Sequence, residues 1–373
     1  MKIAVLTLMD DSNLGNRLQN YAVQQMLRKK GHDVTTLYTA FQYYNILSAN
    51  GIKGAIHDFL LKSGIRSSHF YTTYLKRDKK LFRGLEFTKK HIKTSKKYLY
   101  KFKHHKMDKF KNDFDMWCVG SDQIWNASAV QNNSELFLTF AESRKTFSVS
   151  ASFGNTDIEE VYIDNYVNGL KHLGNISVRE FDGQQLVKRL TGRTAELLLD
   201  PTMMLNREEW LEVGSKPQNI GERKYVLTYF LGGMTETQQN HIQQYAREHE
   251  LEIVDVEDYT NCVGPSEFVW LVNGAEFVFT DSFHGCAFST IFRKAFIAFN
   301  RKNYGYDMSS RITTLLNVFG LEMNYTREID EDYFDFLKKV ESVKQQDLIC
   351  IDVTMKEQQR KYNNYLDRAL ERN

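Results

Sequence analysis

The sequence predicts an α/β protein in which two Rossmann-like domains face a cleft. Short apolar, β-branched segments alternate with helical patterns along 373 residues, a length that suits two average domains. A polar stretch at 214–221, with two glycines and a proline, splits this alternation into two series. Because the chain has only three prolines and 21 glycines, it has no long flexible linker, and we expect closely coupled domains.

The first series is expected to form an N-terminal domain over residues 1–214. An apolar run at 2–8, a helical pattern at 15–30 and an alternating segment at 33–38 give the β-α-β opening of a parallel sheet. The same rhythm continues with predicted strands at Met116–Val119, Thr146–Ala151, Asn175–Val178 and Ala195–Leu199, and predicted helices at Ile158–Leu173 and Gly183–Leu190.

The second series is expected to form a C-terminal domain over residues 222–352. Residues 353–373 are polar with a helical pattern and predict a terminal helix. Within the domain, the predicted strands are Tyr225–Leu231, Glu252–Val256, Phe277–Thr280 and Ala295–Phe299, and the predicted helices are Thr235–His249, Ser266–Val272 and Cys286–Phe292.

A basic insert at about 53–111 interrupts the first domain. Its stretch 76–111 holds fifteen lysines and arginines against three acidic residues. The insert is either a solvated helical excursion or a functional surface. Part of it predicts an amphipathic helix, because four residues recur at helical spacing: Leu81, Leu85, Thr88 and Ile92.

Several classes of protein are disfavoured by composition. The chain has no run of 18 apolar residues, so no transmembrane helix is expected. Phosphate-loop, dinucleotide-fingerprint, zinc-protease and nucleophile-elbow motifs are absent, and the lysine clusters lack a recognisable nucleic-acid module. A cytoplasmic protein without a disulfide framework or structural zinc is expected, because the four cysteines are scattered and form no CxxC pair: Cys118, Cys262, Cys286 and Cys350.

Polar side chains follow the predicted strands of the first domain, where ligands bind in open α/β sheets. Asn16 and Arg17 follow the first strand. They either bind a polar ligand or belong to an ordinary capped helix N-terminus. The stretch 120–126 follows the strand at 116–119 and ends in polar residues beyond what a turn needs, with Trp125 expected to stack on a sugar ring. Arg179 stands at another strand end, where it clamps an anion or pairs with Glu180.

The sharpest local signal lies in the second domain. The strand at 277–280 runs into Asp281, Ser282, Phe283 and His284 and then an apolar helix. Because a helix N-terminus disfavours the imidazolium, the pKa of His284 should fall unless an anion or Asp281 restores it. Such a histidine can transfer protons near neutral pH. Arg301 and Arg311 follow the last strong strand and would add positive charge to the cleft.

Together these strand-end motifs resemble the polysaccharide pyruvyl transferase family. The resemblance spans about residues 2–311, and six motifs stand in the family's order. It implies a fold like that of the two-domain (GT-B) glycosyltransferases, with the last helix packing back toward the first domain. The motifs are Asn13–Ala22, Gly120–Asn126, Ser152–Gly154, Val178–Glu180, Asp200–Pro201 and Thr280–Gly285.

The resemblance implies phosphoenolpyruvate as donor and a sugar of a cell-surface glycan, or of its lipid-linked precursor, as acceptor, with no redox cofactor and no metal demanded. On this basis His284 is the expected general acid/base, and Asp281 is expected to orient it. The expected donor-binding residues are Arg179, Ser282, Arg17, Arg301 and Arg311, and the expected acceptor-binding residues are Asn16, Asp122, Gln123, Trp125 and Asn126.

One departure from the family pattern leaves alternatives open. Better-known members usually carry an arginine two residues before the histidine, where this chain has Ser282. The alternatives are a nucleotide-sugar glycosyltransferase and a non-catalytic glycan-binding relative. The basic insert would suit peripheral contact with an anionic membrane, where a lipid-linked acceptor resides.

Overall fold

The computed structural model describes residues 1–39, 71–130, 133–258, 263–301, 309–326, 332–346 and 349–371. Its strands are β1 (Lys2–Leu6), β2 (Asp33–Leu37), β3 (Thr94–Ser95), β4 (Met116–Val119), β5 (Thr146–Ser148), β6 (Ser177–Val178), β7 (Glu196–Leu197), β8 (Tyr225–Tyr229), β9 (Glu252–Asp255), β10 (Phe277–Thr280), β11 (Phe296–Phe299) and β12 (Tyr325–Thr326).

Helices alternate with these strands. In chain order they are α1 (Leu14–Lys29), α2 (Tyr71–His91), α3 (Leu99–Lys103), α4 (Ala127–Val130), α5 (Ile163–His172), α6 (Phe181–Thr191), α7 (Arg207–Leu211), α8 (Glu236–Glu248), α9 (Pro265–Gly274), α10 (Phe283–Ile291), α11 (Ser309–Phe319), α12 (Tyr333–Lys344) and α13 (Ile349–Leu370). Six short 3₁₀ helices lie between them in the described ranges.

The first half of the chain forms a parallel sheet in the order β3-β2-β1-β4-β5. Ile3 in β1 lies opposite Val34 in β2 and Met116 in β4. The pair β6-β7 extends this sheet through isolated bridges, one of them between Ala151 and Val178. Because all these strands run in one direction, the loops that follow them meet along one edge.

The second half forms a parallel sheet in the order β12-β11-β10-β8-β9. Val278 in the central strand β10 lies opposite Leu227 in β8 and Phe296 in β11. Both sheets carry helices between successive strands, as right-handed parallel connections require. The two α/β units of the prediction are therefore confirmed as two parallel five-stranded sheets.

Helix α1 lies where the two sheets meet. Asn13 caps it by accepting from the Asn16 N–H at 3.0 Å, and thirteen of its sixteen residues are buried. One continuous apolar cluster includes residues from both sheets. Within it, the ring of Trp210 lies 5.5 Å from Tyr21 of α1 and 4.8 Å from Phe288 of α10. The two halves of the molecule thus share a core.

The predicted helix of the basic insert is present as α2, but its buried face differs from the prediction. Leu85 is exposed, whereas Phe87 is buried beside Tyr21, with ring centroids 5.8 Å apart. Thr88 is buried and donates to Asp11 Oδ1 at 2.6 Å. Lys80 pairs with Glu257 of the second half at 2.6 Å, so the described part of α2 packs across both sheets rather than forming a solvated excursion. Residues 53–70 of the predicted insert lie outside the described ranges.

The C-terminal helix α13 contacts both halves of the chain. Near its start, Asp352 pairs with Arg293. Further along, the Tyr365 hydroxyl donates to the Ser148 carbonyl at 2.7 Å, and the Tyr362 hydroxyl lies 2.9 Å from Ser150 Oγ. No helix in the described ranges is long and apolar enough to cross a bilayer.

Differences in element ends have local causes. The strand predicted at 146–151 ends at Ser148, because Ser150 adopts a left-handed backbone conformation with φ of 50°. The helix predicted from Cys286 begins at Phe283, which places His284 inside its first turn. Periodicity did not predict the two-residue strands β3 and β12, the short helices α3, α4 and α7, or the longer helices α11 and α12.

Candidate active site

The N-termini of α1 and α10 meet where the two sheets face each other. The His284 ring of α10 packs directly on Gly15 of α1: a Cβ built on Gly15 would lie 2.0 Å from His284 Nδ1. No side chain fits there without displacing the imidazole. Gly15 therefore permits the close approach that brings a histidine of the second sheet to the strand ends of the first.

A tight turn after β10 sets the position of His284. The Ser282 N–H donates to Thr280 Oγ1 at 2.9 Å, and a Cβ on Gly285 would lie 2.3 Å from that same oxygen. The Ser282 side chain makes no capping hydrogen bond, although Ser282 occupies the N-cap position. Its hydroxyl instead faces the Tyr229 phenol and favours the charged form there, against the burial that raises the pKa of Tyr229.

His284 is buried among charged groups. Burial lowers the pKa of its imidazole, because desolvation disfavours the cation. The carboxylates of Asp200 and Asp122 oppose this effect, and the guanidiniums of Arg179 and Arg311 reinforce it. His284 Nε2 is buried and has no hydrogen-bond partner among the described residues. The histidine is thus held neutral, with one ring nitrogen available to a ligand.

Asp281 has a different role from the one predicted. Its carboxylate accepts from the N–H groups of Leu231 and Gly232, both at 2.7 Å, and so holds the glycine turn after β8. Arg301 adds an ion pair, with Nε 3.6 Å from Asp281 Oδ2. The expectation that Asp281 orients His284 is therefore wrong, because both carboxylate oxygens are bonded elsewhere.

Arg179 forms the centre of a buried ionic cluster. Its Nη1 donates to Asp200 Oδ2 at 2.6 Å and its Nη2 to Asp122 Oδ1 at 3.0 Å, while its Nε lies 3.8 Å from Glu180 Oε2. The Phe283 ring of the second sheet lies over the guanidinium, with the centroid 4.7 Å from Cζ. Both Nη atoms are occupied by carboxylates, which corrects the expectation that Arg179 clamps the donor anion.

The two carboxylates bound to Arg179 are also fixed by other donors. Asp122 has a left-handed backbone with φ of 63°, and its Oδ2 accepts from Asn16 Nδ2 at 3.2 Å. Arg179 and His284 hold its pKa at about 2, although burial alone would raise it. Asp200 Oδ1 accepts from the N–H and hydroxyl of Thr202 at 3.0 and 2.8 Å. Every oxygen of the two carboxylates therefore already accepts a hydrogen bond within the protein.

Asn16 and Arg17 are structural as well. Arg17 is fully buried; it donates to the Leu8 carbonyl at 2.7 Å and to Asn16 Oδ1 at 2.6 Å, and lies 3.5 Å from Asp11. These bonds hold the turn between β1 and α1. Arg17 as a donor-binding residue and Asn16 and Asp122 as acceptor-binding residues are therefore corrected: their polar atoms bind one another.

Trp125 is also corrected. Its indole is fully buried, donates to the Leu136 carbonyl at 3.0 Å and stacks on Phe137 at 5.6 Å. No face of the ring is free for a sugar. The polar side chains on either side of it, Gln123 and Asn126, are half-buried and remain at the edge of the cleft.

Arg311 reaches this edge from the second sheet. Its Nη1 lies 2.9 Å from the side-chain amide of Gln123, which also contacts Asn126. Burial, with Arg179 beside it, lowers the pKa of Arg311 to about 10, so it stays charged at neutral pH. Unlike Arg179 and Arg17, Arg311 has no ion pair within 4 Å in the described ranges.

Two residues of the cluster were missing from the predicted site. Asp200 directly follows the strand predicted at 195–199, and Glu180 lies two residues after the end of β6. The strand-end rule that selected Arg179 would have found both. The described residues contain no group of three or more His, Cys, Asp or Glu placed to hold a metal ion.

The family model of polysaccharide pyruvyl transferase matches residues 13–303. The chain belongs to the polysaccharide pyruvyl transferase family. Curated protein sequences give no significant match to it.

Solved structures of other proteins are similar in fold to this member of the pyruvyl transferase family. UDP-GlcNAc 2-epimerase from Neisseria meningitidis, bound to UDP-GlcNAc, is 9% identical over 99% of this chain and 100% of that chain, with a TM-score of 0.51. MurG from Acinetobacter baumannii is 8% identical over 98% and 99%, with a TM-score of 0.44. At 9% identity the likeness to the epimerase shows the fold alone, and with the two parallel sheets this fold is the GT-B arrangement of two Rossmann-like domains.

Stability should depend on pH through His284. Because burial lowers its pKa, the unfolded chain binds a proton below about pH 6.5 that the folded chain does not bind. The free energy of unfolding should therefore fall as pH drops through that value. Urea unfolding at pH 8, 7, 6 and 5 should give a shallower pH slope for His284→Gln than for the wild type. Equal slopes would contradict the buried, neutral imidazole.

Proposed function

We propose that this protein transfers the pyruvyl group of phosphoenolpyruvate to hydroxyls of a sugar in a cell-surface polysaccharide or its lipid-linked precursor. The product is a cyclic pyruvate ketal, and inorganic phosphate is released. The observation that carries the proposal is the buried, unpartnered Nε2 of His284 at the N-terminus of α10, facing the strand ends of the first sheet. Membership of the family supports it.

Ketal formation begins with a proton transfer that suits His284. The imidazolium donates its proton to C3 of the donor, the electron pair of the C=C bond forms the new C–H bond, and C2 becomes oxocarbenium-like. The lowered pKa of His284 makes its imidazolium a strong acid. Bound donor anions would raise that pKa and restore the proton. One sugar hydroxyl then adds to C2, and a second displaces phosphate.

The donor anion needs cations that are not already neutralised. Arg179 and Arg17 are locked to carboxylates, so we assign the donor to Arg311, the Ser282 hydroxyl and the backbone N–H groups that open α10. Arg301 lies beside this group through its contacts with Asp281. In this assignment Arg311 supplies the charge of the arginine that other family members carry at the position of Ser282. Gln123 and Asn126 line the acceptor side.

The basic surface after β3 supports a second part of the proposal, peripheral contact with the inner, anionic face of the membrane. The surface carries five exposed lysines and the largely exposed ring of Tyr100. It begins at the same edge of the first sheet as the cleft, because it directly follows a strand end. The five are Lys96, Lys97, Lys103, Lys106 and Lys109.

Donor binding is tested by thermal unfolding with phosphoenolpyruvate, phosphate, pyruvate and a nucleoside diphosphate. A ligand at 100 times its Kd stabilises the folded state by about 2.7 kcal/mol, so phosphoenolpyruvate should raise Tm. Arg311→Gln should abolish the shift, whereas Arg144→Gln, at an exposed arginine outside the cleft, should retain it. A shift with the nucleoside diphosphate alone would instead indicate glycosyl transfer.

His284→Ala should lower turnover by ~10²- to 10⁴-fold, the usual contribution of a general acid or base. Turnover is measured as phosphate released from phosphoenolpyruvate in the presence of methyl glycosides or lipid-diphosphate-linked sugars. His104→Ala, at an exposed histidine, is the matched control. A raised KM with unchanged kcat in His284→Ala would reduce His284 to a binding residue.

Membrane contact should depend on the charge of the basic surface. Each lysine near an anionic leaflet contributes about 1 kcal/mol at low salt. Replacing Lys96, Lys97, Lys103, Lys106 and Lys109 with Gln should therefore abolish co-sedimentation with phosphatidylglycerol vesicles, as should high salt. Binding that is equal on neutral and anionic vesicles would rule the contact out.

A further inference from the structure

Glu180 is a cleft carboxyl that the proton transfers described above do not use. It follows β6 at the carboxyl edge of the first sheet and occupies the N-cap position of α6, yet its side chain makes no capping hydrogen bond. Instead its Oε1 accepts from the Phe153 N–H at 2.8 Å, in the loop after β5. The carboxyl group is therefore anchored through one oxygen and oriented by the fold.

The second oxygen of Glu180 is unused. Oε2 is buried and makes no hydrogen bond within 3.5 Å among the described residues, although the Ser152 hydroxyl also faces this carboxyl group and favours its charged form, lowering its pKa. The cationic atom beside it is Arg179 Nε at 3.8 Å, which is itself unpartnered. The contrast with Asp122 and Asp200 is sharp, since all four of their oxygens accept hydrogen bonds. A buried polar atom without a partner costs about 1–3 kcal/mol. A ligand that donates a hydrogen bond would remove that cost.

The surroundings of Glu180 indicate what kind of ligand this is. The side chain that follows it, Phe181, is about half exposed, and the Phe181 N–H donates to Thr314 Oγ1 of the second sheet's helix α11 at 3.4 Å. One turn earlier on α11, Arg311 contacts the half-buried Gln123. The seam between the two sheets, where Phe181 contacts Thr314, thus has a carboxylate, an amide and an exposed ring nearby. These groups suit a sugar, because a sugar has hydroxyl groups that donate hydrogen bonds and an apolar face that packs on a ring.

We propose that Glu180 is the acceptor-side base and that Phe181 packs against the acceptor sugar. This inference rests on the proposed pyruvyl transfer. Glu180 Oε2 accepts a hydrogen bond from the attacking hydroxyl and takes its proton as the hydroxyl oxygen forms its bond to C2. Opening of the seam between Phe181 and Thr314 admits the sugar.

The proton balance closes with this assignment. His284 gives one proton to C3, and Glu180 takes one from the first sugar hydroxyl. When the second hydroxyl displaces phosphate, its proton returns to His284, and Glu180 passes its own proton to the departing phosphate. Both side chains return to their starting states, and no other reactant is needed. Burial raises the pKa of Glu180, although the charges of Arg179 and Arg311 oppose this effect. The higher pKa makes the carboxylate a stronger base near neutral pH.

The decisive variant is Glu180→Gln, which keeps the acceptor for the Phe153 N–H and removes the base. Phosphate release with a glycoside that supports wild-type turnover should fall by ~10²- to 10⁴-fold. The rise in Tm with phosphoenolpyruvate should be retained, because the donor is held from the other sheet. The limb of the kcat/KM profile that rises with pH should disappear. The matched control is Glu135→Gln, at a buried carboxyl whose pKa burial raises to about 7. It should leave phosphate release, the Tm shift with phosphoenolpyruvate and the pH profile of kcat/KM as in the wild type.

Phe181→Ala tests the second half of the inference. It should raise the KM for the glycoside and leave the KM for phosphoenolpyruvate unchanged. Phe334→Ala, at a more exposed ring on α12, is the control.

The two proposals fail in distinguishable ways. Turnover of Glu180→Gln within twofold of the wild type, or loss of its donor-induced Tm shift together with turnover, would overturn the catalytic role of Glu180 while pyruvyl transfer stands. An unchanged glycoside KM in Phe181→Ala would overturn the role of Phe181. A wild type that releases no phosphate with any glycoside or lipid-linked sugar would overturn the proposed function, and this inference with it.

Discussion

The geometry of the cleft depends on the burial of the Arg179 guanidinium. Burying an unpaired cation is costly, and Arg179 is paired with carboxylates that follow three different strands, β4, β6 and β7. Removing one partner of such a group typically costs about 3–5 kcal/mol. The cluster therefore fixes three strand ends relative to one another. It also fixes the side chain of Asp122, whose left-handed backbone conformation is uncommon for a residue other than glycine.

The charge of this cluster accounts for the assignment of the anionic donor to the second sheet. Three carboxylates, Asp122, Glu180 and Asp200, surround one arginine of the first sheet, so the first sheet alone offers little attraction to an anionic donor. The second sheet contributes His284, Arg311 and the open N-terminus of α10. A donor anion held there would meet the carboxylates across the seam, and these favour the protonated form of His284. In the proposed reaction the second domain therefore holds the donor, and the first holds the proton acceptors.

Much of the fold followed from periodicity, because most of the predicted strands are short, largely buried and rich in β-branched or aromatic residues. His284 was also found from local sequence, because a histidine between a strand and an apolar helix lies at the helix N-terminus, at the carboxyl edge of the sheet. The roles of Trp125, Arg179 and Asp281 were not predictable in this way. Their partners, the Leu136 carbonyl, Asp200 and the Leu231 N–H, lie 11 to 50 residues away. Local sequence shows that a strand end is polar, but not whether its polar groups bind a ligand or one another.

Unused hydrogen-bonding capacity separates these cases. Asn16, Arg17, Asp122 and Asp200 are as polar and as close to the cleft as the remaining residues, yet their side chains bond mainly to neighbouring protein groups. His284 Nε2, Glu180 Oε2 and Arg311 Nε are buried in the same region and have no hydrogen-bond partner among the described residues. Arg17 Nε and Arg179 Nε are unpartnered as well, but carboxylates neutralise both of these guanidiniums. A fold that leaves a proton donor, a proton acceptor and a cation unpaired at one seam bears the desolvation cost of all three. Binding of the anionic donor on one side of the seam and of a hydroxyl-bearing acceptor on the other would recover that cost.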